Sequence, residues 1–121
     1  MDILMVDGFN VLPGKTQEFQ AWVRANSAAL AEHAPDGTEL VGIYATIISS
    51  EKHSGNTKII WRLDSFGAMD RFTAAMDEDP ELARLLDELG EFGDVRIGAD
   101  YSEELLKSFA DIAFWGDHPE E

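Results

Sequence analysis

The chain has 121 residues, 45% hydrophobic and 27% charged, a balance that excludes a disordered polymer. Twenty-four acidic against nine basic residues give a net charge of −15, which repels phosphate backbones and anionic lipid surfaces, so neither nucleic acid nor membrane is an expected partner. There is no cysteine, which excludes disulfides, thiolate nucleophiles and cysteine-held metals.

This length fits one domain over residues 1–121 with a core of its own. No apolar run approaches the ~18–20 residues of a membrane span, and Met1-Asp2 opens without a basic n-region, so a cytoplasmic protein is expected. The acidity is uneven: residues 1–64 carry −3 and residues 65–121 carry −12. Its simplest consequence is solubility.

Residues 3–12 predict a first strand, with Ile3, Met5, Phe9 and Val11 on one face and Leu4, Val6 and Leu12 on the other. Asp7 interrupts the first set and Asn10 the second. Pro13-Gly14 turns the chain, and Thr16 is the expected cap of a helix from about Gln17 to His33. Its stripe holds Phe19, Trp22, Val23, Asn26, Leu30 and His33. After Pro35-Asp36-Gly37, residues 38–49 read as a long second strand, with Tyr44 on the face of Leu40, Thr46 and Ile48.

The polar stretch 49–55 then leads, as a hairpin, into a third strand from Lys58 to Leu63. Trp61 lies on one face of it, Arg62 on the other. Asp64 or Ser65 should cap a helix with Phe66, Met69, Phe72, Thr73 and Met76 inward. Asp79-Pro80 is the N-cap and first-turn proline of a further helical segment, which buries Leu82, Leu85, Leu86 and Leu89 and stops at Gly90. Residues 94–101 alternate as a fourth strand. Ser102 is then the expected cap of a last helix through Leu105, Leu106, Phe109, Ile112 and Phe114, followed by a flexible acidic tail at 116–121.

The order βαββαβ with an extra C-terminal helix predicts an α+β, ferredoxin-like antiparallel sheet carrying helices on one face. The first two strands are apolar on both faces, so the second face needs cover as well. A second copy of the sheet supplies it, which predicts a homodimer paired through its sheet faces.

Two stretches carry a family resemblance. One is Phe9-Asn10-Val11-Leu12-Pro13-Gly14-Lys15 with Glu18-Phe19 and Trp22. The other is Trp61-Arg62-Leu63-Asp64-Ser65 through Asp79-Pro80-Glu81, and Val41-Gly42 fits between them. Over roughly residues 3–100 the chain resembles the dimeric α+β barrel superfamily, most of all its NIPSNAP-type domains. Where that family often carries a charged pair in its first strand, Met5 and Asp7 stand here. The resemblance implies a pocket between sheet and helices, where relatives act as cofactor-free monooxygenases, haem-degrading enzymes, isomerases or dehydratases. The haem-degrading relatives combine a first-strand Asn, a third-strand Trp and a His on the second helix. Residues 65–89 contain no histidine and Asp7 falls near the Asn position, so neither haem nor another cofactor is expected.

Candidate lining residues are Asp7, Asn10, Trp22, Asn26, Tyr44, Trp61 and Arg62 for an apolar small molecule, with His33 as the one usable general base. Each also has a structural role open to it. Trp22 sits on a helical stripe where aromatics are usually core, and His33 lies at a helix C-terminus, which stabilises an imidazolium. Asp7 and Arg62 fall on adjacent strands, so a salt bridge in the dimer seam is geometrically open to them. The three histidines lack metal-ligand spacing, and no P-loop, GxGxxG or GxSxG occurs. Two readings therefore stand: a cofactor-free oxygenase or isomerase, or a non-catalytic binding or assembly domain.

Overall fold

The computed structural model describes residues 3–110. Its elements are β1 (Ile3–Phe9), α1 (Thr16–Glu32), β2 (Thr38–Ala45), β3 (Thr57–Leu63), α2 (Gly67–Glu78), α3 (Pro80–Glu91) and β4 (Tyr101–Lys107). The strands form one antiparallel sheet in the order β2-β3-β1-β4. This is the ferredoxin-like α+β plan expected from the sequence.

Alternation along the strands divides the sheet into a helix-covered face and an open face. On the covered face Ile3, Ile59, Trp61 and Leu63 are buried with Phe19 and Leu30 of α1, Ala68 of α2, and Leu82 and Leu85 of α3. On the open face Leu4, Val6 and Ile60 are half-buried beside Lys58, Arg62 and Glu104. No helix of the described residues is long and apolar enough to cross a membrane.

Several expectations about local structure are corrected. The fourth strand is residues 101–107, not 94–101, and it occupies the start of the expected last helix. Residues 94–100 form a loop instead. There Asp94 accepts from the Arg96 backbone N–H at 3.1 Å and from its guanidinium at 2.6 Å, and Gly98 takes a φ of +87°. Glu103, Glu104, Leu105 and Leu106 have a helical look, yet each pairs with β1, so tertiary pairing overrides propensity. The later part of that expected helix, Ile112 and Phe114, and the tail 116–121 lie outside the described residues.

Smaller shifts follow the same logic. Lys15, rather than Thr16, is the α1 N-cap, and no side chain bonds there. The second helix starts at Gly67, and Ala68 is its buried residue while Phe66 and Met76 are exposed. Asp79 caps α3 as expected, accepting from the N–H groups of Glu81 at 3.1 Å and Leu82 at 3.3 Å.

A bulge at Val41 breaks the β2 register between Leu40, opposite Trp61, and Gly42, opposite Ile60. The extra residue reverses the alternation, so Tyr44 lies on the open face while Leu40 lies on the covered one. Its ring folds back over Gly42, where a Cβ would come within 2.8 Å of the phenol oxygen.

Candidate functional site

Most of the residues singled out from the sequence have partners of their own. Trp61 is 3% exposed and meets the Phe72 ring edge-on at 4.9 Å, which places it in the core between β3 and α2. Trp22 donates its indole N–H to Glu88 at 2.8 Å, tying α1 to α3, and the Asn26 amide donates to the Trp22 carbonyl at 3.0 Å. Arg62 pairs with Glu39 across the open face at 2.9 Å.

Asn10 organises the end of the sheet. Its side-chain oxygen accepts from the Asn56 N–H at 2.9 Å, and its amide donates to Asp100 at 3.2 Å. Asn56 answers by accepting the Val11 N–H at 3.2 Å. Asp100 also meets His53 at 3.0 Å, so three loops converge here.

His33 ends α1, and its Nδ1 lies 2.8 Å from the Asp79 carboxylate. That hydrogen bond raises the imidazole pKa above its ordinary value and lowers that of Asp79. The pair borders a shallow cleft of about 440 Å³ at the junction of α1 with α2 and α3, with Arg71 on its wall.

Asp7 does not meet Arg62, contrary to the geometry the sequence left open. Asp7 pairs with Ile59 and Arg62 with Leu4, an odd number of residues apart on β1, so their side chains take opposite faces. Asp7 points to the covered face, beside Glu103 of β4. Burial, then the charge of Glu103 and a hydrogen bond shared with it, push the Asp7 carboxyl up to about 6. Its Oδ1 is buried without a hydrogen-bond partner. The Tyr101 hydroxyl donates to Glu103 at 3.4 Å, and burial followed by the Asp7 charge raises its pKa.

A second opening, of about 570 Å³, lies between the first half of α1 and the far end of β2. Val11, Phe19, Val23 and Ile43 supply apolar surface, and Gln17, Gln20, Thr46 and Asn56 supply uncharged polar groups. The cavity opens on edge strand β2, whose far end, Ala45, is left exposed. Of the residues picked from the sequence, Tyr44 alone lines it; His33, Asp7 and Trp61 do not. Val23 and Phe19 were visible in the sequence only as a helix stripe, and Arg24 carried no signal beyond its charge. Glu103 was missed because its strand was misplaced. Among the described residues no group of three or more acids and histidines could hold a metal ion.

No family model matches the chain, and no curated protein matches it. Solved structures do. A NIPSNAP family protein from Agrobacterium tumefaciens is similar at a TM-score of 0.67 and 16% identity, over 92% of this chain and 96% of that one. The fold is that of the NIPSNAP-type dimeric α+β barrels. The chain is also similar to a dimeric ferredoxin-like protein of unknown function from Thermobifida fusca, at a TM-score of 0.60 and 16% identity over 89% and 92% of the two chains. A protein from Bordetella bronchiseptica, provisionally named an antibiotic biosynthesis monooxygenase, is similar at 0.60 and 16% identity over 88% and 96%. At these identities the NIPSNAP-type likeness is one of fold.

Proposed function

We propose that this protein is a homodimeric binding domain that takes an apolar small molecule in the cavity between α1 and β2. The observation that carries the reading is the cavity itself. Its volume of about 570 Å³ lies in the range of small-molecule sites, and an apolar floor with a few polar groups is their usual chemistry. The dimer is supported by half-buried Leu4, Val6 and Ile60 on the open sheet face and by the dimeric neighbour of the same fold. Binding fits better than catalysis because neither His33 nor Asp7, the two groups suited to proton transfer, lines the cavity.

A thermal-shift screen of apolar small molecules tests this. A ligand at ~100 times its dissociation constant adds ~2.7 kcal/mol of stability. Ala45 lies exposed on the cavity wall, so Ala45→Trp should plug the cavity without disturbing the core and should abolish the shift. Ligands that stabilise the Ala45→Trp variant equally would remove the cavity from the account.

A second reading retains catalysis and rests on Asp7. A carboxyl held near 6 with an uncommitted oxygen is the type of group that serves as a general base at neutral pH. Under this reading Asp7→Asn abolishes turnover of a bound substrate while leaving its binding intact.

A further inference from the structure

The cavity between α1 and β2 differs in charge from the rest of the molecule. The chain holds 24 acidic residues among 121, yet none of the thirteen lining the cavity is acidic, and its single charged residue is Arg24. The other arginines are all committed. Arg62 pairs with Glu39 at 2.9 Å, Arg71 with Asp64 at 2.6 Å, Arg84 with Glu81 at 2.7 Å, and Arg96 with Asp94 at 2.6 Å. Among the described residues Arg24 makes neither an ion pair nor a side-chain hydrogen bond.

Local sequence accounts for this. The helical neighbours of Arg24, three and four residues away, are Gln20, Ala21, Ser27 and Ala28, none of which can accept a charge pair. Arg84, by contrast, has Glu81 and Glu88 at those spacings and binds both. In a chain with more than two acids for each base, an arginine kept clear of carboxylates leaves its five-donor fork open for an outside acceptor.

We infer that the cavity takes an apolar monocarboxylate, its hydrocarbon body against Phe19, Val23 and Ile43 and its carboxylate on the Arg24 guanidinium. This deepens the binding reading above and depends on it. A planar carboxylate matches the guanidinium by two parallel hydrogen bonds, and the absence of acids in the lining removes the repulsion that the rest of the surface would exert. A second charge on the ligand would have no partner among the lining residues, which is why the assignment is to a single carboxylate.

Calorimetric titration of the full chain with decanoate, below its micelle concentration, and with decan-1-ol provides the test. The two share one hydrocarbon body and differ in the head group. Decanoate should bind at least about tenfold more tightly than the alcohol, and Arg24→Gln should erase that preference while leaving alcohol binding unchanged. Arg24 is exposed, so the ligand-free variant should melt with the wild type. If both compounds bind wild type and variant alike, the cavity remains a binding site and the carboxylate assignment fails. A preference that survives Arg24→Gln also overturns it, because another group then reads the head. If neither compound binds and the thermal-shift screen is also blank, the binding reading falls with it.

Discussion

His33 and Asp79 join the end of α1 to the start of α3: the imidazole Nδ1 lies 2.8 Å from one carboxylate oxygen, and the other oxygen accepts from the N–H groups of Glu81 and Leu82. One carboxylate thus serves as helix cap and as interhelical link. The His33 pKa is raised above 6.5, so its contribution is fully present below pH 6.5 and is lost as pH rises through the raised value. The Asp79 pKa is lowered below 3.8, so its contribution is present above pH 3.8 and is lost as pH falls through the lowered value. Together they are strongest between those limits, with Glu81 and Glu32 adding to the imidazolium. The melting temperature of His33→Ala should therefore lag the wild type most at pH 5–6, by a few degrees, and least at pH 9. Asp79→Ala should lag further at every pH above 4, since it also removes the cap. A lag for His33→Ala that does not vary with pH would show that the link is not ionic.

Asp7 has the opposite pH sign to Asp79 and the same sign as His33. Its folded pKa of about 6 lies above its ordinary value of 3.8, so its contribution is greatest below pH 3.8 and is lost as pH rises through 6. Asp7→Asn keeps the shape and removes the charge. It should stabilise the protein at pH 8 by on the order of 1–2 kcal/mol, a figure discounted for the group's partial exposure, and should be neutral at pH 4. Urea denaturation at the two pH values measures both. Glu103→Gln should reproduce part of the gain, because the Glu103 charge is the second cause of the shift.

The sequence disclosed the fold through its strongest local signals. The alternation of β3, the Asp79-Pro80 start of α3 and the stripe of Phe19 and Leu30 each set one element, and helices on one face of a split sheet followed from their order. Three features were not legible, each for a physical reason. The apolar alternation of Val95 and Ile97 imitates a strand, but both residues are exposed in a loop, at 90% and 106%, whereas the acidic Tyr101–Lys107 stretch pairs as an edge strand. Charge on an edge discourages further pairing, and the same charge hides the strand in a sequence. The Val41 bulge moved Tyr44 to the other face, and nothing in the sequence marks it. The cavity arises from a gap between two elements, and a gap leaves no residue pattern.

Trp61 should act as core and not as a ligand contact. It is buried against Phe72, so Trp61→Ala should cost about 3–5 kcal/mol in denaturant unfolding. Trp61→Phe should lower stability less and leave any ligand-induced thermal shift unchanged, because the residue does not line the cavity. Loss of the shift in a folded Trp61→Phe variant would place the ligand elsewhere.

Gly55 holds the loop between β2 and β3 against β1. Its φ is +93°, a region that side chains rarely adopt, and a Cβ there would come within 2.6 Å of the Phe9 carbonyl oxygen. Nothing flexible lies in the way; the obstacle is backbone. Gly55→Ala should cost about 1–3 kcal/mol from conformational strain alone, and more from the clash. Gly14 also has a positive φ, of +80°, but open space around it, so Gly14→Ala should show the strain without the clash and be the milder change. Equal losses at the two sites would mean that the loop does not press on β1.

The open sheet face supplies the last test. Val6 and Ile60 are paired across β1 and β3, half-buried in the single chain, and flanked by Leu4 and by the 45%-exposed Leu106. If two sheets meet through this face, each side chain is desolvated by its counterpart, and a charge placed there is taken out of water without a partner. Ile60→Glu should then dissociate the dimer, since both copies bring the same carboxylate to one seam and the adjacent Lys58 and Arg62 are already engaged, with the Ser54 carbonyl and with Glu39. In the isolated protomer the same position keeps access to solvent, so the variant should remain folded by circular dichroism. Sedimentation should give the wild type twice the 13.4 kDa chain mass at micromolar concentration and the variant the single mass. A wild type that sediments at the single mass would exclude sheet-to-sheet pairing at that concentration. A dimer untouched by Ile60→Glu would move the contact to another surface.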